Sequence, residues 1–394
     1  MGRRRRERRR GVLPSAMPTS HVHASLRFTS NARGRAVIAA NDIPAHSHLI
    51  VERPLLSMGL PESNDQLLSC VRCCRPTGTV TGQIKHLTGL KKLPELPLDE
   101  EDNILAGNVP GDGGVFYCSE ACKEQHSQAH AFLCGHSASA AAALSKFEEH
   151  ALSTHEYFLF GARLIADVLA RRKDSLSTST SNPEGPYAAL CRAPWWEISD
   201  EGVPKSAKAQ QQVKREAATS LDLLKKLLKI TSPKTDLEWL TLDAWGGLLG
   251  ASRRNAICVQ LPHPLQEFVP ALQEWASNQP PSKHAEKVDE LLEALPSPLP
   301  EPLWTAVYEK ISQCNHDCKP NAEVHFFNED HEATLLALRK IEKGEEIFIT
   351  YIDDNERSDY KKRRASLRDY GFECDCEKCV NEEQWARRLR PRRS

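Results

Sequence analysis

The sequence has no apolar run that approaches the length of a membrane span, which argues against a chain embedded in a bilayer. It also lacks the apolar core that a secretory signal would place after the N-terminal arginines. We find no internal repeat. These absences predict a cytosolic or nuclear protein in a reducing environment, where disulfides are rare.

Cysteine, by contrast, is plentiful. The chain has 394 residues, 40% hydrophobic and 27% charged, which gives room for two or three globular domains. Thirteen cysteines in a reducing environment favour metal binding or catalysis over disulfides. All of them are clustered except Cys191 and Cys258, which we expect to be small buried hydrophobic residues.

Charge is unevenly distributed, although the formal net charge is only −1. The first ten residues, MGRRRRERRR, and the last ten, WARRLRPRRS, are rich in arginine, and the body between them is acidic. Such segments are typical of disordered tails that contact nucleic acid weakly, acidic proteins or an import receptor. The alternatives are a tail that is merely solvated, or a true start at Met17 instead of Met1. Four consecutive arginines favour the nucleus or cytoplasm, with a mitochondrial presequence as the alternative.

Hydrophobic periodicity predicts an α+β fold. Residues 35–57 and 322–352 alternate apolar and polar residues between turn signals, which indicates strands. Residues 140–172 carry apolar residues at helical spacing, and SLDLLKKLLKI and HAEKVDELLEAL are amphipathic helices. The polar stretch KDSLSTSTSNPEGP is predicted to be a surface loop.

The motif CDCEKC near the C terminus predicts a zinc site. Cys374, Cys376 and Cys379 have a spacing at which three thiolates converge on one tetrahedral metal. A closed structural site needs a fourth ligand, and Cys318 is our candidate. The alternative, three reduced cysteines on the surface, is disfavoured because exposed free thiols are usually avoided.

A second group of ligands lies between residues 70 and 134. One closed site is predicted from Cys70, Cys73, Cys118 and Cys122. His130 and Cys134, on a short helix, are half of another site that either His126 or Cys74 would have to complete. His130 can equally be a capping or packing histidine.

The stretch CNHDCKPN, residues 314–321, combines amide, imidazole and thiol groups with no helical or strand rhythm. It can be a metal site, a loop that binds a cofactor, or a nucleophilic cysteine at Cys314. The nucleophile is the weakest of the three, because no Ser/His/Asp or Cys/His pattern elsewhere supports it.

Several motifs, in the same order along the chain, resemble the SET-and-MYND-domain family of protein lysine methyltransferases over most of residues 26–380. NARGRAVIAANDIPAHSHLIVERPLL is similar to the first SET segment, and RRNAICV to the middle segment. QCNHDCKPNAEV is similar to the signature N-H-S-C-x-P-N, KGEEIFITYID to the strand that ends in the catalytic tyrosine, and YGFECDCEKC to the post-SET zinc motif. Residues 70–134 resemble the MYND zinc finger that is inserted into SET. Its second C-x-x-C is absent, so we expect one full MYND zinc.

The resemblance implies S-adenosylmethionine and zinc as cofactors. Tyr351 is the implied catalytic residue and Tyr370 the wall of a lysine channel, with ordinary packing as the alternative for both. Cys318 is implied to face zinc from the loop that holds the cofactor. The implied cofactor-binding residues are Arg33, Gly34, Arg35, Asn255, Asn315, His316, Tyr351 and Phe372.

The resemblance also implies a SET fold of small antiparallel sheets with a pseudoknot, interrupted by a MYND-type zinc finger and a helical insert. The expected divisions are a basic tail at 1–20, the first SET segment at 21–69, the zinc finger at 70–134, a helical insert at 135–245, the SET core at 246–352, the post-SET motif at 353–380 and a basic tail at 381–394.

Three functions remain open at this point. The first is a protein-lysine N-methyltransferase, which acts on a histone or another protein. The second is a catalytically lapsed SET-MYND protein that recruits Pro-rich peptides through its finger. The third, a zinc protein that binds nucleic acid, rests only on the arginine-rich ends. Asn315, His316 and Tyr351 favour the first, and the resemblance favours a monomer.

Overall fold

A computed structural model gives the fold. It describes residues 21–31, 33–134, 136–174, 183–198, 206–353, 357, 359–368 and 370–388. The predicted tail at 1–20, the end of the chain from residue 389 and most of the stretch KDSLSTSTSNPEGP lie outside the described residues.

The strands are short and are spread over both ends of the chain. They are β1 His21–Val22, β2 Leu26–Asn31, β3 Gly34–Ala39, β4 His48–Glu52, β5 Leu56–Gly59, β6 Gly78–Thr79, β7 Ile104–Ala106, β8 Val109–Pro110, β9 Phe116–Tyr117, β10 Ala256–Gln260, β11 Leu303–Val307, β12 Asn315–His316, β13 Ala322–His325, β14 Ala333–Ala337 and β15 Phe348–Ile349.

The α-helices occupy mainly the middle of the chain. They are α1 Pro61–Gln66, α2 Val80–Thr88, α3 Glu100–Asn103, α4 Glu120–Leu133, α5 Ala138–Ser153, α6 Tyr157–Asp174, α7 Trp195–Ile198, α8 Ala207–Thr231, α9 Leu242–Asn255, α10 Phe268–Ser277, α11 Lys283–Ala294, α12 Tyr360–Arg368 and α13 Glu377–Arg388. The last of these continues through Arg388, into the segment predicted as a basic tail.

Small sheets join the first strands of the chain to the last ones. One antiparallel sheet has the order β1-β4-β14-β13, and another has the order β10-β11-β5. Their buried faces share one apolar cluster, which includes Leu49 and Leu335 of the first sheet and Val259 of the second. The β4–β14 pairing links residues almost 300 positions apart, such as Ile50 with Leu335. The α+β class and the small antiparallel sheets are therefore confirmed.

One short pairing is parallel and places two motifs side by side. β12 pairs with β15, so that Asn315 lies opposite Phe348 and His316 opposite Ile349. The backbone N–H of Asp317 continues the contact by donating to the carbonyl of Ile349 at 3.0 Å. The signature loop and the strand that leads to Tyr351 are thereby fixed against each other.

The helical region forms a second apolar cluster around buried tryptophans. Trp195 and Trp245 are completely buried there. Gly246 on α9 allows a close approach, because a Cβ at this position would lie 2.3 Å from the ring of Trp196.

The helical periodicity over residues 140–172 corresponds to two helices, α5 and α6. The hydroxyl of Thr154 donates to the His150 carbonyl at 2.6 Å, where it satisfies a free carbonyl at the end of α5.

A third cluster joins two segments that the sequence does not connect. The cysteine-free insert 76–114 supplies Val80 and Ile84, which pack against Leu272 of α10 and Leu291 of α11. Helix α10 and this partnership are absent from the sequence prediction.

Cys191 and Cys258 correct another expectation, since both are exposed. Cys258 points outward because the alternation of β10 turns Val259 inward. No described helix is long and apolar enough to span a bilayer.

Candidate active site and metal centres

The C-terminal cysteine cluster consists of Cys318, Cys374, Cys376 and Cys379. All four are buried, and their sulfur atoms lie within 4.8 Å of one another. The Cys318 sulfur is 4.0 Å from that of Cys374 and 3.6 Å from that of Cys379. Zinc with four thiolates at ~2.3 Å in a tetrahedron places the sulfurs about 3.8 Å apart, so the geometry fits zinc. Hydrogen bonds from Cys318 and Cys374 stabilise the thiolate of Cys376 and thereby lower the pKa of this thiol.

The zinc-finger cluster consists of Cys70, Cys73, Cys118 and Cys122, with the same 4.8 Å limit. Cys118 lies 3.5 Å from both Cys73 and Cys122, sulfur to sulfur. Cys70 and Cys73 lie on a turn after α1, and Cys122 is in the first turn of α4. The hydroxyl of Ser119 accepts from the backbone N–H of Cys122 and caps this helix. These thiols also fit a tetrahedral zinc.

His130 and Cys134 are not brought into a third group. Among the described residues, the sets of three or more potential ligands within 4.8 Å are the two four-cysteine clusters. The Nε2–H of His130 donates to the carbonyl of Asp112 at 2.8 Å. His126 contacts the Tyr117 hydroxyl at 3.0 Å, and Cys74 contacts Ser57 at 3.6 Å, so neither completes the site.

The signature loop is held from both sides by Asn315. Its amide donates to the carbonyl of Arg35 at 2.8 Å and to the carboxylate of Glu346 at 2.6 Å. Buried Asn321 closes the other end of the loop, since it donates to the Glu346 carbonyl and accepts from the Phe348 N–H, both at 2.8 Å. Sequence reasoning gave no role to Glu346 or Asn321, although both lie within the quoted motifs.

His316 connects the C-terminal cluster to Tyr351. Its Nδ1 accepts the backbone N–H of Tyr351 at 3.0 Å. Because a backbone N–H only donates, Nδ1 is unprotonated and the ring proton lies on Nε2. Nε2 is 3.3 Å from the sulfur of Cys318 and donates to it. Burial lowers the pKa of His316 to about 4, which keeps the ring neutral at pH 7.

Three rings surround Tyr351, and the first is His316, whose ring centroid lies 5.4 Å from that of Tyr351. The ring of Tyr351 lies 5.0 Å from that of Tyr370, and Phe372 meets it edge-on at 6.3 Å. The Tyr351 hydroxyl donates to the carbonyl of Cys314 at 2.7 Å, and burial raises the pKa of this phenol, so it stays protonated. The Cys314 thiol is completely buried, and burial raises its pKa as well. A protonated, inaccessible thiol is a poor nucleophile, which disfavours that interpretation of the loop.

The first SET segment lies beside this centre. Gly34 adopts φ +95°, a conformation that favours glycine, and opens β3. Arg33 lies over the ring of Phe348 and forms an ion pair with Asp375 between two of the C-terminal cysteines. Arg35 donates to Asn255 at 2.9 Å, and Asn255 donates to the carbonyl of Cys191 at 2.7 Å. Burial lowers the pKa of the Arg35 guanidinium.

The sequence of this chain is similar to those of known proteins. Residues 34–352 match the family model for the SET domain. The chain is 29% identical to the histone-lysine N-methyltransferase ATXR2 of Arabidopsis thaliana over 337 residues, 78% of this chain and 68% of the relative. It is 25% identical to the protein-lysine N-trimethyltransferase SMYD5 of Homo sapiens over 387 residues, 92% of this chain and 88% of the relative.

Two further matches are partial. A SET and MYND domain-containing protein of Dictyostelium discoideum is 44% identical over 77 residues, 19% of this chain and 22% of that protein. The crystal structure of the SET domain of LSMT, bound to lysine and AdoHcy, aligns with 90% of this chain at 12% identity and a TM-score of 0.38. This alignment spans 54% of that chain, about half of its length. The family resemblance is thus confirmed: with a match from Gly34 to Ile352, the chain belongs to the SET domain family.

Proposed function

We propose that this protein is an S-adenosylmethionine-dependent protein-lysine N-methyltransferase. The observation that carries the proposal is the contact of His316 with both Cys318 and the backbone of Tyr351. It joins a metal-fitting cluster, the signature loop and the candidate catalytic tyrosine in one unit. Relatives that match most of this chain are named histone-lysine or protein-lysine methyltransferases, which supports the same reaction class.

The cofactor would lie between the signature loop and the turn at residues 33–35. Both amide hydrogens of Asn315 are used within the protein, so its Oδ1 and the main chain of the loop remain to bind the cofactor. The amide group of Asn255 likewise donates to the carbonyls of Cys191 and Ala251, and its Oδ1 accepts from Arg35. We infer that Asn255 holds the pocket in shape and that Phe372 covers the adenine.

S-adenosylmethionine, when bound, supplies a methyl group on a positively charged sulfur. The hydroxyl hydrogen of Tyr351 is committed to the Cys314 carbonyl, so its oxygen lone pairs are free to accept from the substrate amine and orient it. The hydroxyl of Tyr370 donates to the Tyr351 carbonyl at 3.1 Å and fixes the second wall of the channel. A lysine amine must be neutral to react, and desolvation between these rings lowers its pKa.

Each four-cysteine cluster would hold one zinc ion. The C-terminal ion, with Cys318 as a ligand, would order the wall that carries His316 and Phe372. The ion in the finger would stabilise the fold of residues 70–134. We infer in addition that the segment carrying NHDC forms the predicted pseudoknot, and the parallel pairing of β12 with β15 supports this.

The substrate would be a lysine of a histone or another protein, in the nucleus or cytoplasm, as the names of the relatives suggest. A monomer that recruits Pro-rich peptides through its finger, with weak nucleic-acid contact by the arginine-rich ends, remains our sequence-based prediction.

The test is methyl transfer from labelled S-adenosylmethionine into a mixed cell lysate. Wild-type protein should label discrete bands, and Tyr351→Phe should lower the labelling by about 100-fold or more, because it loses the oriented hydroxyl. Tyr187→Phe is the matched control, since it also loses a buried hydroxyl, one bound to Asp167 at 2.7 Å. If wild type binds the cofactor but labels nothing that Tyr351→Phe does not, the binding-module alternative becomes the better account.

A further inference from the structure

A small cavity lies where the zinc finger, the SET strands and the helical insert meet. It has a volume of about 90 Å³ and lies between α4, β5, α6 and the turn that carries Arg72. Its polar lining consists mainly of Arg72, Arg163, Arg171, His126, His130 and Asp167. A single water needs only ~10–15 Å³ of such volume, so the cavity has room for an anion of about five heavy atoms.

Positive charge in this cavity is not balanced by its own carboxylate. Asp167 is already committed, because it accepts from Nε of Arg171 at 2.6 Å and from the Tyr187 hydroxyl at 2.7 Å. Arg72 donates from Nη1 to Nε2 of His331 at 3.4 Å, which uses one nitrogen of its guanidinium. Its other nitrogens can serve an anion, as can those of Arg163.

Arg163 has neither a hydrogen bond nor an ion pair within the part of the chain that the structure describes. The groups nearest to it electrostatically are Cys74, Tyr117 and Glu148. The Cys74 thiol contacts the Ser57 hydroxyl at 3.6 Å, and the Tyr117 hydroxyl contacts Nδ1 of His126 at 3.0 Å, so neither group pairs with Arg163. Of these three groups only Glu148, on α5, is a carboxylate, and it does not come within ion-pairing distance of Arg163.

Burial lowers the pKa of the Arg163 guanidinium itself, because a charged group is costly away from water. Arginine nevertheless stays charged in proteins. The same surroundings, with burial first and then Arg163, lower the pKa of His126 to about 3, so this imidazole stays neutral. A charged fork of donors that faces a small cavity without a partner calls for an anion.

We propose that this cavity is a binding site for a small tetrahedral oxyanion, phosphate or sulfate, held by Arg163 and Arg72. Such an anion would bridge α6 of the helical insert to the turn of the zinc finger. Its binding would therefore stabilise the docking of the finger on the rest of the protein. This proposal is independent of the methyltransferase reaction, because none of these residues lies in the candidate active site.

The test is a titration of the zinc-loaded full chain with inorganic phosphate, at fixed pH and at an ionic strength held constant with sodium chloride. The midpoint temperature of thermal unfolding should rise by several degrees when the phosphate concentration is tens of times its dissociation constant. Sulfate should act similarly, and chloride alone should not. Calorimetric titration gives the affinity directly.

Two variants should move the phosphate response in opposite directions. Arg163→Met should weaken phosphate binding about tenfold or more, because it removes the unpartnered fork of donors. Its unfolding midpoint without phosphate should equal or exceed that of wild type, since an uncompensated charge is gone. Glu148→Gln should strengthen phosphate binding, because it removes the competing negative charge.

Arg215→Met is the control, since the side chain of this exposed arginine of α8 donates to Gln212 at 2.7 Å and does not line the cavity. Should Arg163→Met not fold, Arg163→Lys, which keeps the charge without the fork, replaces it and should weaken binding less. Two results would overturn the proposal: a phosphate effect no larger than that of chloride at equal ionic strength, or an undiminished phosphate effect in the Arg163 variant.

Discussion

The two four-cysteine clusters have the same ligands but contact different parts of the molecule. In the C-terminal cluster, Cys318 accepts a hydrogen bond from His316, and the same ring accepts the N–H of Tyr351. In the zinc finger, the hydrogen bond that links the cluster to the rest of the protein is a backbone one: the main-chain N–H of His331 donates to the carbonyl of Cys73 at 3.0 Å. The first cluster is one side chain away from the candidate catalytic tyrosine, whereas no hydrogen bond among the described residues joins a finger cysteine directly to that tyrosine.

The zinc finger contacts the SET strands through buried polar residues. His331 is completely buried and contacts the Ser57 hydroxyl at 2.7 Å. Next to it, Asp330 forms an ion pair with Arg75 at 2.9 Å. This buried polar network fastens the finger to the SET strands. The difference teaches that two clusters with the same four ligands can have different neighbours: one contacts the candidate active site, and the other lies where the finger is attached to the SET strands.

After the loss of the Tyr351 hydroxyl itself, the largest effect should come from breaking the link between the C-terminal cluster and Tyr351. His316→Ala should lower the methyl-transfer rate about 10- to 100-fold, because groups that orient metal ligands typically matter by this factor. Zinc content should stay at two ions per chain, as measured by chelator release, because all eight thiols remain. His325→Ala on β13 is the control histidine. Transfer within about twofold of wild type would show that the link is not needed.

The loop before the signature motif offers an intermediate effect, through Glu52. This buried carboxylate accepts the backbone N–H groups of Glu309, Lys310 and Ile311 at 3.0–3.1 Å. Burial raises the pKa of Glu52 above its ordinary value of 4.5, and these bonds offset only part of the shift. The folded state therefore binds a proton more tightly than the unfolded state does.

Stability should accordingly depend on pH through Glu52. The protonated carboxyl contributes fully below pH 4.5, and this contribution is lost as the pH rises through the folded pKa. The free energy of unfolding of wild type relative to Glu52→Gln should fall over this window, in chemical denaturation at a series of pH values. A difference that grows with pH would mean that the three N–H groups hold the carboxylate charged.

The smallest effect concerns the incomplete half of the finger. His130→Ala and Cys134→Ser should each leave zinc content at two ions per chain, because neither residue lies in a group of three or more ligands among the described residues. Metal analysis of the purified proteins checks this. A fall from three ions to two in either variant would reveal a third site, and the finger would then differ from the C-terminal cluster in ligand number too.

Local spacing predicted much of the site. The C-x-C-x-x-C motif placed three thiols on one metal because its ligands are neighbours in sequence, and the structure brings Cys318 to them. Glu346 and Asn321 were missed because their partners, such as Asn315 and Phe348, lie 25 or more residues away. No periodicity states which distant amide a carboxylate will meet.

Packing between inserts was equally out of reach. The apolar face of α11 is visible in the sequence as HAEKVDELLEAL, but an amphipathic pattern does not identify its partner, here α2 and α10. The expectation that Cys191 and Cys258 are buried is wrong, because the average burial of cysteine does not say where in the fold a given one lies: Cys258 is on the outer face of β10, and Cys191 is in a connection before α7.

The central claim is that the C-terminal cluster serves the cofactor site and the finger does not. It is tested most directly by calorimetric titration of S-adenosylmethionine into wild type, Cys376→Ser and Cys122→Ser, each with its zinc content measured. The account predicts at least a roughly tenfold weaker affinity for Cys376→Ser and a change of less than about twofold for Cys122→Ser. Equal losses in both variants, or the larger loss in Cys122→Ser, would contradict it.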